Sequence, residues 1–150
     1  MIELIQSVFA LYGERWDWFL GLLREHFLLS GQAILLSGAI GLLLGVWISQ
    51  HPRLAPAVMG VCNVLYTIPA ISLLGILIPF TGIMPMVRNT YVGLTTLDRD
   101  ILEAARGMGG TELQTLLRVK LPLAAGVILA GVRNMVVMTV SVAGIASFVG

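Results

Sequence analysis

Carboxylates occur at only two places in this chain. Glu3, Glu14, Asp17 and Glu25 lie near its start, and Asp98, Asp100, Glu103 and Glu112 form a later island. Between Glu25 and Asp98 there is none, and none follows Glu112. Basic residues barely interrupt the gaps. With histidine neutral, 27–52 is uncharged up to Arg53, 54–87 is uncharged up to Arg88, and 121–150 holds only Arg133. A helix needs about 20 apolar residues to cross a hydrocarbon core roughly 30 Å thick. Each gap is long enough. Only 11% of the residues are charged, against about 25% in soluble domains, and 57% are apolar. The expectation is an all-α integral membrane protein.

A net charge of +1 leaves no basis for a nucleic-acid partner. The single cysteine, Cys62, excludes a disulfide framework and any multi-cysteine metal site. His26 and His51 stand at opposite ends of one apolar run, so no metal site is expected, and no set of catalytic groups suggests an enzyme.

Phe27 to Ile48 reads as a first span. Its small residues Ser37, Gly41, Gly45 and Ser49 recur every four positions, a face on which helix backbones approach closely in lipid. Residues 1–26 differ. Ile5, Phe9, Tyr12, Trp16, Phe19 and Leu23 make one helical stripe, and Trp16 and Trp18 suit the headgroup level. An amphipathic helix lying on membrane lipid is expected there. The 34 residues of 54–87 would make a helix of about 51 Å, too long for one perpendicular crossing. Pro69, Pro79 and Pro85 each remove a backbone donor. The expectation is one bent span over 57–81, then an irregular segment. A last span covers 122–150.

Five of the nine basic residues (Arg88, Arg99, Arg106, Arg118 and Lys120) fall within 88–120. The positive-inside tendency puts this island in the cytoplasm. Its pattern over 98–121 is helix, break, helix. Asp98 or Asp100 can cap the first helix, the second with Glu103 in a box-like arrangement. Gly107, Gly109 and Gly110 end it. Thr111 and Gln114 form a Thr-x-x-Gln capping box for the second helix, which Pro122 is expected to limit. Ile101, Leu102 and Ala105 share one side of the first helix, and Leu113, Leu116 and Leu117 share one side of the second. The form suits docking.

Glu103-Ala104-Ala105, three residues, Gly109, nine residues, Val119, one residue, then Leu121-Pro122 reproduces the spaced EAA motif. In this the chain resembles the permease subunits of ABC transporters. Tyr66 to Ala70, Val87 to Leu94 and Glu103 to Gly109 resemble the permeases of osmoprotectant importers, which carry glycine betaine, carnitine, choline and related quaternary ammonium compounds. The resemblance covers about 27–150. It implies a multi-span bundle in the cell inner membrane whose loop 98–121 seats in a separate ABC ATPase subunit. Glu103, Ala104, Ala105, Arg106, Gly107, Gly109, Leu121 and Pro122 would make that coupling element. It also implies a second permease subunit, identical or not, and an extracytoplasmic substrate-binding protein. No Gly-x-x-x-x-Gly-Lys-Ser/Thr phosphate loop occurs, so ATP and Mg belong to the partner ATPase and no cofactor is expected here.

Two departures stand out. The family generally has another helix, about 15–20 residues, between the equivalents of Gly82 and Met84, and it continues beyond the equivalent of Gly150. One crossing between Arg53 and the basic island would put two cytoplasmic segments on opposite sides. Either 57–87 is a re-entrant hairpin or the chain is an incomplete permease. A non-transporting membrane scaffold or truncated fragment is therefore the alternative reading.

Arg133 and Asn134 interrupt the last span. Eleven helical residues after Pro122 place Arg133 about 16 Å deep, where it must face protein or water, unless it snorkels to the interface. Asn63, Tyr66 and Thr67, with Thr139 and Ser141, are the other candidates for a polar route. Hydroxyls in such helices also bond to carbonyls one turn back. Tyr66 and Tyr91 offer cation–π faces.

Overall fold

A computed structural model of the chain describes residues 2–67 and 78–146. The elements are α1 (Ile2–Glu14), α2 (Trp16–Gln50), α3 (Ala55–Thr67), α4 (Ile78–Thr95), α5 (Arg99–Gly107) and α6 (Glu112–Thr115). A π-helical turn, Leu116–Lys120, then leads into α7 (Leu121–Ala146). No strand occurs among the described residues. Trp16–Gln50 and Glu112–Ile145 are each long and apolar enough to cross a membrane.

The N-terminal stripe divides between two helices. α2 already begins at Trp16 and passes residue 26 without a break. Tyr12 stacks on Phe19 across the α1–α2 joint, with ring centroids 4.5 Å apart. Phe9, Trp16, Trp18 and Leu23 stay exposed.

The bundle is built on α4, which packs along both α2 and α7. On α2 the buried residues are Ser30, Ala33, Ser37, Gly41, Gly45 and Ile48. Their spacing of three and four makes one helical face, and it is the small-residue face anticipated from the sequence. Ser49 is only half-buried and donates to the Val46 carbonyl (2.7 Å). Ile48, fully buried, ends the stripe instead.

Contacts along this face give the helix directions. A Cβ added to Gly41 would lie 2.6 Å from Met86 Cβ, and one added to Gly45 would lie 2.5 Å from Thr90 Cβ. One added to Gly82 would meet Ser37 Oγ at 2.7 Å. Residue numbers rise together, so α2 and α4 are parallel. Against α7 they run oppositely: Gly93 faces Ala124 and Val127, Gly131 faces Asn89, and Gly82 faces Met135 and Thr139. The C-terminal ends of α2 and α4 and the start of α7 therefore share one end of the bundle.

That arrangement removes the topological conflict expected from the sequence. The chain leaves this end after Arg53 and is back at it by Thr95, so Arg53 and the basic island lie on the same side. The residues expected to form one bent span over 57–81 instead belong to two helices. α3 ends at Thr67 and α4 starts at Ile78; Pro69 lies outside the described residues. Pro79 sits in the first turn of α4, where a missing N–H removes no intrahelical bond. Pro85 lies inside α4, yet the helix continues. Such a residue costs about 3 kcal/mol; its neighbours Met84, Met86 and Val87 are all buried, and the packing of α4 along both α2 and α7 holds the helix through it. The irregular segment expected here is helical.

Pro122 does not stop its helix either. It cannot donate to the Arg118 carbonyl, and the preceding five residues wind as a π turn closed by Leu121 N–H on the Leu116 carbonyl. α6, the π turn and α7 are thus one rod, which ties the elbow mechanically to the last span.

Candidate functional site

Two sites emerge: an elbow at the end of the bundle and a polar cleft within it. The elbow is built by local chemistry. Asp98 caps α5, its side chain accepting from Asp100 N–H (2.9 Å), so of the two aspartates it is the cap and Asp100 lies in the first turn. At the other end Gly109 N–H donates to the Arg106 carbonyl (2.9 Å) and Gly110 N–H to the Ala105 carbonyl (3.3 Å). Gly109 has φ of 80°. This pair of bonds with a left-handed glycine is the Schellman ending, and it explains why the spaced motif has glycine at this position. α6 opens on a complete capping box: Thr111 Oγ1 accepts from Gln114 N–H (3.2 Å) and Gln114 Oε1 accepts from Thr111 N–H (3.0 Å). Thr111→Ala is expected to lose about 1 kcal/mol, measurable as a lower denaturation midpoint in detergent.

The motif residues divide between anchoring and display. Leu116 is buried with Leu94 and Ala124, with Leu121 half-buried beside them, pinning the elbow to α4 and α7. Ala105 is buried and Ala104 exposed, so the two alanines do not form one outward patch; Ala105 lies at the crossing where Gly110 bonds back. Glu103, Arg106, Gly107, Gly109 and Pro122 are exposed. Of the pairings open to Arg106, the observed one is with Glu112, Nη2 to Oε1 2.9 Å. Among the described residues Glu103 makes no ion pair. The two apolar sides also split: Ile101, Leu113 and Leu117 are exposed, as is Met108, while Leu116 turns inward.

The cleft lies where α3, α4 and α7 meet and has a volume of about 720 Å³. Asn63 and Tyr66 come from α3, Met84, Pro85, Arg88 and Asn89 from α4, and Arg133, Asn134, Val137 and Met138 from α7. Four of the seven residues singled out from the sequence are therefore brought together: Asn63, Tyr66, Arg133 and Asn134. Three are not. Thr67 donates to the Val64 carbonyl (2.9 Å) and Ser141 to the Val137 carbonyl (2.7 Å). Thr139 is fully buried against Gly82, its hydroxyl without a hydrogen-bond partner. Tyr91 packs beside the Ile48–Val87 cluster, away from the cleft.

Arg88 and Asn89 were missed as lining residues. Arg88 reads from the sequence as the first charge of the cytoplasmic island, but it lies seven residues inside the end of α4, about 10 Å from that end. The available signal was the lack of any helix-breaking residue between Met86 and Tyr91. Asn89 Nδ2 donates to the Pro85 carbonyl (2.8 Å), which leaves its amide oxygen for the cleft. Among the described residues no three His, Cys, Asp or Glu side chains come together as a metal site.

Residues 37–150 match the family described as the binding-protein-dependent transport system inner membrane component. The chain is 33% identical over 163 residues to the glycine betaine/carnitine/choline transport system permease protein OpuCD of Bacillus subtilis (strain 168), covering 99% of this chain and 71% of that protein. It is 36% identical over 140 residues to the carnitine transport permease protein OpuCD of Listeria monocytogenes, covering 84% and 63%. It is 37% identical over 145 residues to the osmoprotectant import permease protein OsmW of Salmonella typhimurium, covering 84% and 67%. In the first of these, 163 aligned positions take in 99% of 150 residues, so about 14 positions of the relative have no counterpart here. A shortfall of that size inside the aligned region agrees with the absence of most of one helix.

Proposed function

This chain belongs to the family of binding-protein-dependent transport system inner membrane components, multi-pass proteins of the inner membrane, and from that premise we propose that it is the permease subunit of an ATP-driven importer of osmoprotectants. The cargo would be quaternary ammonium compounds such as glycine betaine, carnitine or choline, the solutes named for its relatives. Its partners would be an ABC ATPase that binds ATP and Mg, a second permease subunit, and an extracytoplasmic binding protein that delivers the solute.

The observation that carries this reading is the elbow. It is rigid by its own bonds, with a Schellman ending and a capping box, and it presents Glu103 and a set of apolar side chains outward. It continues as one rod into α7. A push on Glu103 by the ATPase would thus be transmitted to α7 and, through Leu94 and Ala124, to α4. These two helices line the cleft, so their tilt would open it to alternate sides.

The test is co-expression with the neighbouring ATPase and binding-protein components. The chain should co-purify with the ATPase, and the complex in proteoliposomes should accumulate labelled glycine betaine, carnitine or choline only with ATP inside. A chain that inserts but never retains an ATPase would instead be a membrane scaffold.

A further inference from the structure

We propose that the cleft is a carboxylate-selective site, in which Arg88 and Arg133 hold the carboxylate of a zwitterionic solute while Tyr66 faces its quaternary ammonium end. The inference rests on the osmoprotectant reading and narrows it to solutes that carry both charges.

The two guanidinium groups come from different helices, α4 and α7, and line the same cleft with no acidic residue in its wall. The chain has no carboxylate between Glu25 and Asp98 and none after Glu112. No acid of this chain is therefore available along α3, α4 or α7 to neutralise them. The ion pair formed among the described residues, Arg106 with Glu112, lies out on the elbow. Arginines at membrane depth are expensive unless a partner or water meets them. Both are exposed and line one open cleft, where an anion supplied from outside the chain can reach them.

The chemistry favours a carboxylate. A guanidinium presents paired N–H donors in a plane, which matches the two oxygens of a carboxylate. Asn63 and Asn134 add neutral amide groups to the same wall. Tyr66 supplies an aromatic face suited to a trimethylammonium group. A volume of about 720 Å³ is ample for a small zwitterion. Choline has the ammonium group without the carboxylate. It would meet two like charges and leave both guanidiniums unpaired, and a site built to bond a missing group discriminates strongly.

The experiment has two arms. In the first, the full chain in lipid nanodiscs is treated with phenylglyoxal, and arginine modification is mapped by peptide mass spectrometry. Glycine betaine and acetate should each slow modification of Arg88 and Arg133, choline should not, and Arg106 should be unaffected throughout. Equal protection by choline, or no protection at all, overturns the proposal. In the second arm, the assembled importer carries Arg88→Gln or Arg133→Gln, and uptake of glycine betaine and choline is compared. The betaine-to-choline ratio should fall roughly ten-fold, the effect of losing a charge-assisted hydrogen bond. An unchanged ratio, with both solutes slowed alike, overturns it. If the wild-type importer moves no quaternary ammonium solute, the osmoprotectant reading fails, while the labelling arm still decides whether the cleft selects carboxylates.

Discussion

Gly109→Val is expected to abolish ATP-driven uptake by the assembled importer while leaving membrane insertion intact. Gly109 adopts φ of 80°, a region that a β-branched residue enters only at a cost of roughly 1–3 kcal/mol. The valine would relax by unwinding the turn, and the bonds from Gly109 and Gly110 back to α5 would break together. α5 would then leave the rod formed by α6 and α7, and Glu103 would be displaced from the position proposed for it against the ATPase. Two controls separate this from a general packing defect. Gly109→Asn, a residue that tolerates the left-handed region, should keep most of the uptake. Gly107→Ala should be close to neutral, because a Cβ there meets nothing within 4 Å. Uptake in proteoliposomes and retention of the ATPase on purification are the readouts. Full uptake by the valine variant would refute the elbow as the coupling element.

Gly45→Ala is the second large effect, and it falls on the bundle itself. The added Cβ would sit 2.5 Å from Thr90 Cβ and 3.0 Å from the Val87 carbonyl oxygen. A side-chain end can rotate away from such a contact, but a backbone oxygen cannot. α2 and α4 must separate along their length, which loosens the stripe from Ser37 to Ile48. Overpacking of this kind costs about 1–3 kcal/mol, and the backbone contact places this case at the upper end. Close approach supplies most of the association between helices in lipid, so the loss is not recovered by burying the new methyl group. Gly60→Ala and Gly126→Ala add the same atom where nothing lies within 4 Å. Thermal denaturation in detergent should show a clearly lower midpoint for the Gly45 variant alone. Equal midpoints for all three would mean that α2 and α4 are not in contact at this face.

Features set within a few residues were legible before any fold was known. The Thr111–Gln114 box, the glycine ending of α5 and the aspartate cap all depend on hydrogen bonds, from side chain or backbone, that close within two to five positions along the chain. The small-residue stripe on α2 was equally readable, because helical periodicity alone puts Ser37, Gly41 and Gly45 on one face. The ion pair of Arg106 with Glu112 and the unlike exposure of Ala104 and Ala105 were not, because these residues meet their partners only once the elbow has bent.

The prolines mark the same division. Read locally, Pro85 and Pro122 end helices, since each removes a donor. In the bundle Pro85 is carried through in a helix that packs along both α2 and α7, and Pro122 follows a π turn in which Leu121 N–H bonds to the Leu116 carbonyl. The sequence by itself determined that the chain lies in a membrane, where its elbow falls, and which face of α2 seeks a neighbour, because charge, capping and periodicity act over one or two turns. Only the tertiary structure decided that α4 runs parallel to α2, and that Arg88 of α4, Arg133 of α7 and Tyr66 of α3 open onto one cleft. Such a meeting depends on how three helices cross, and that is set by the summed packing of many small contacts rather than by any residue's own preference.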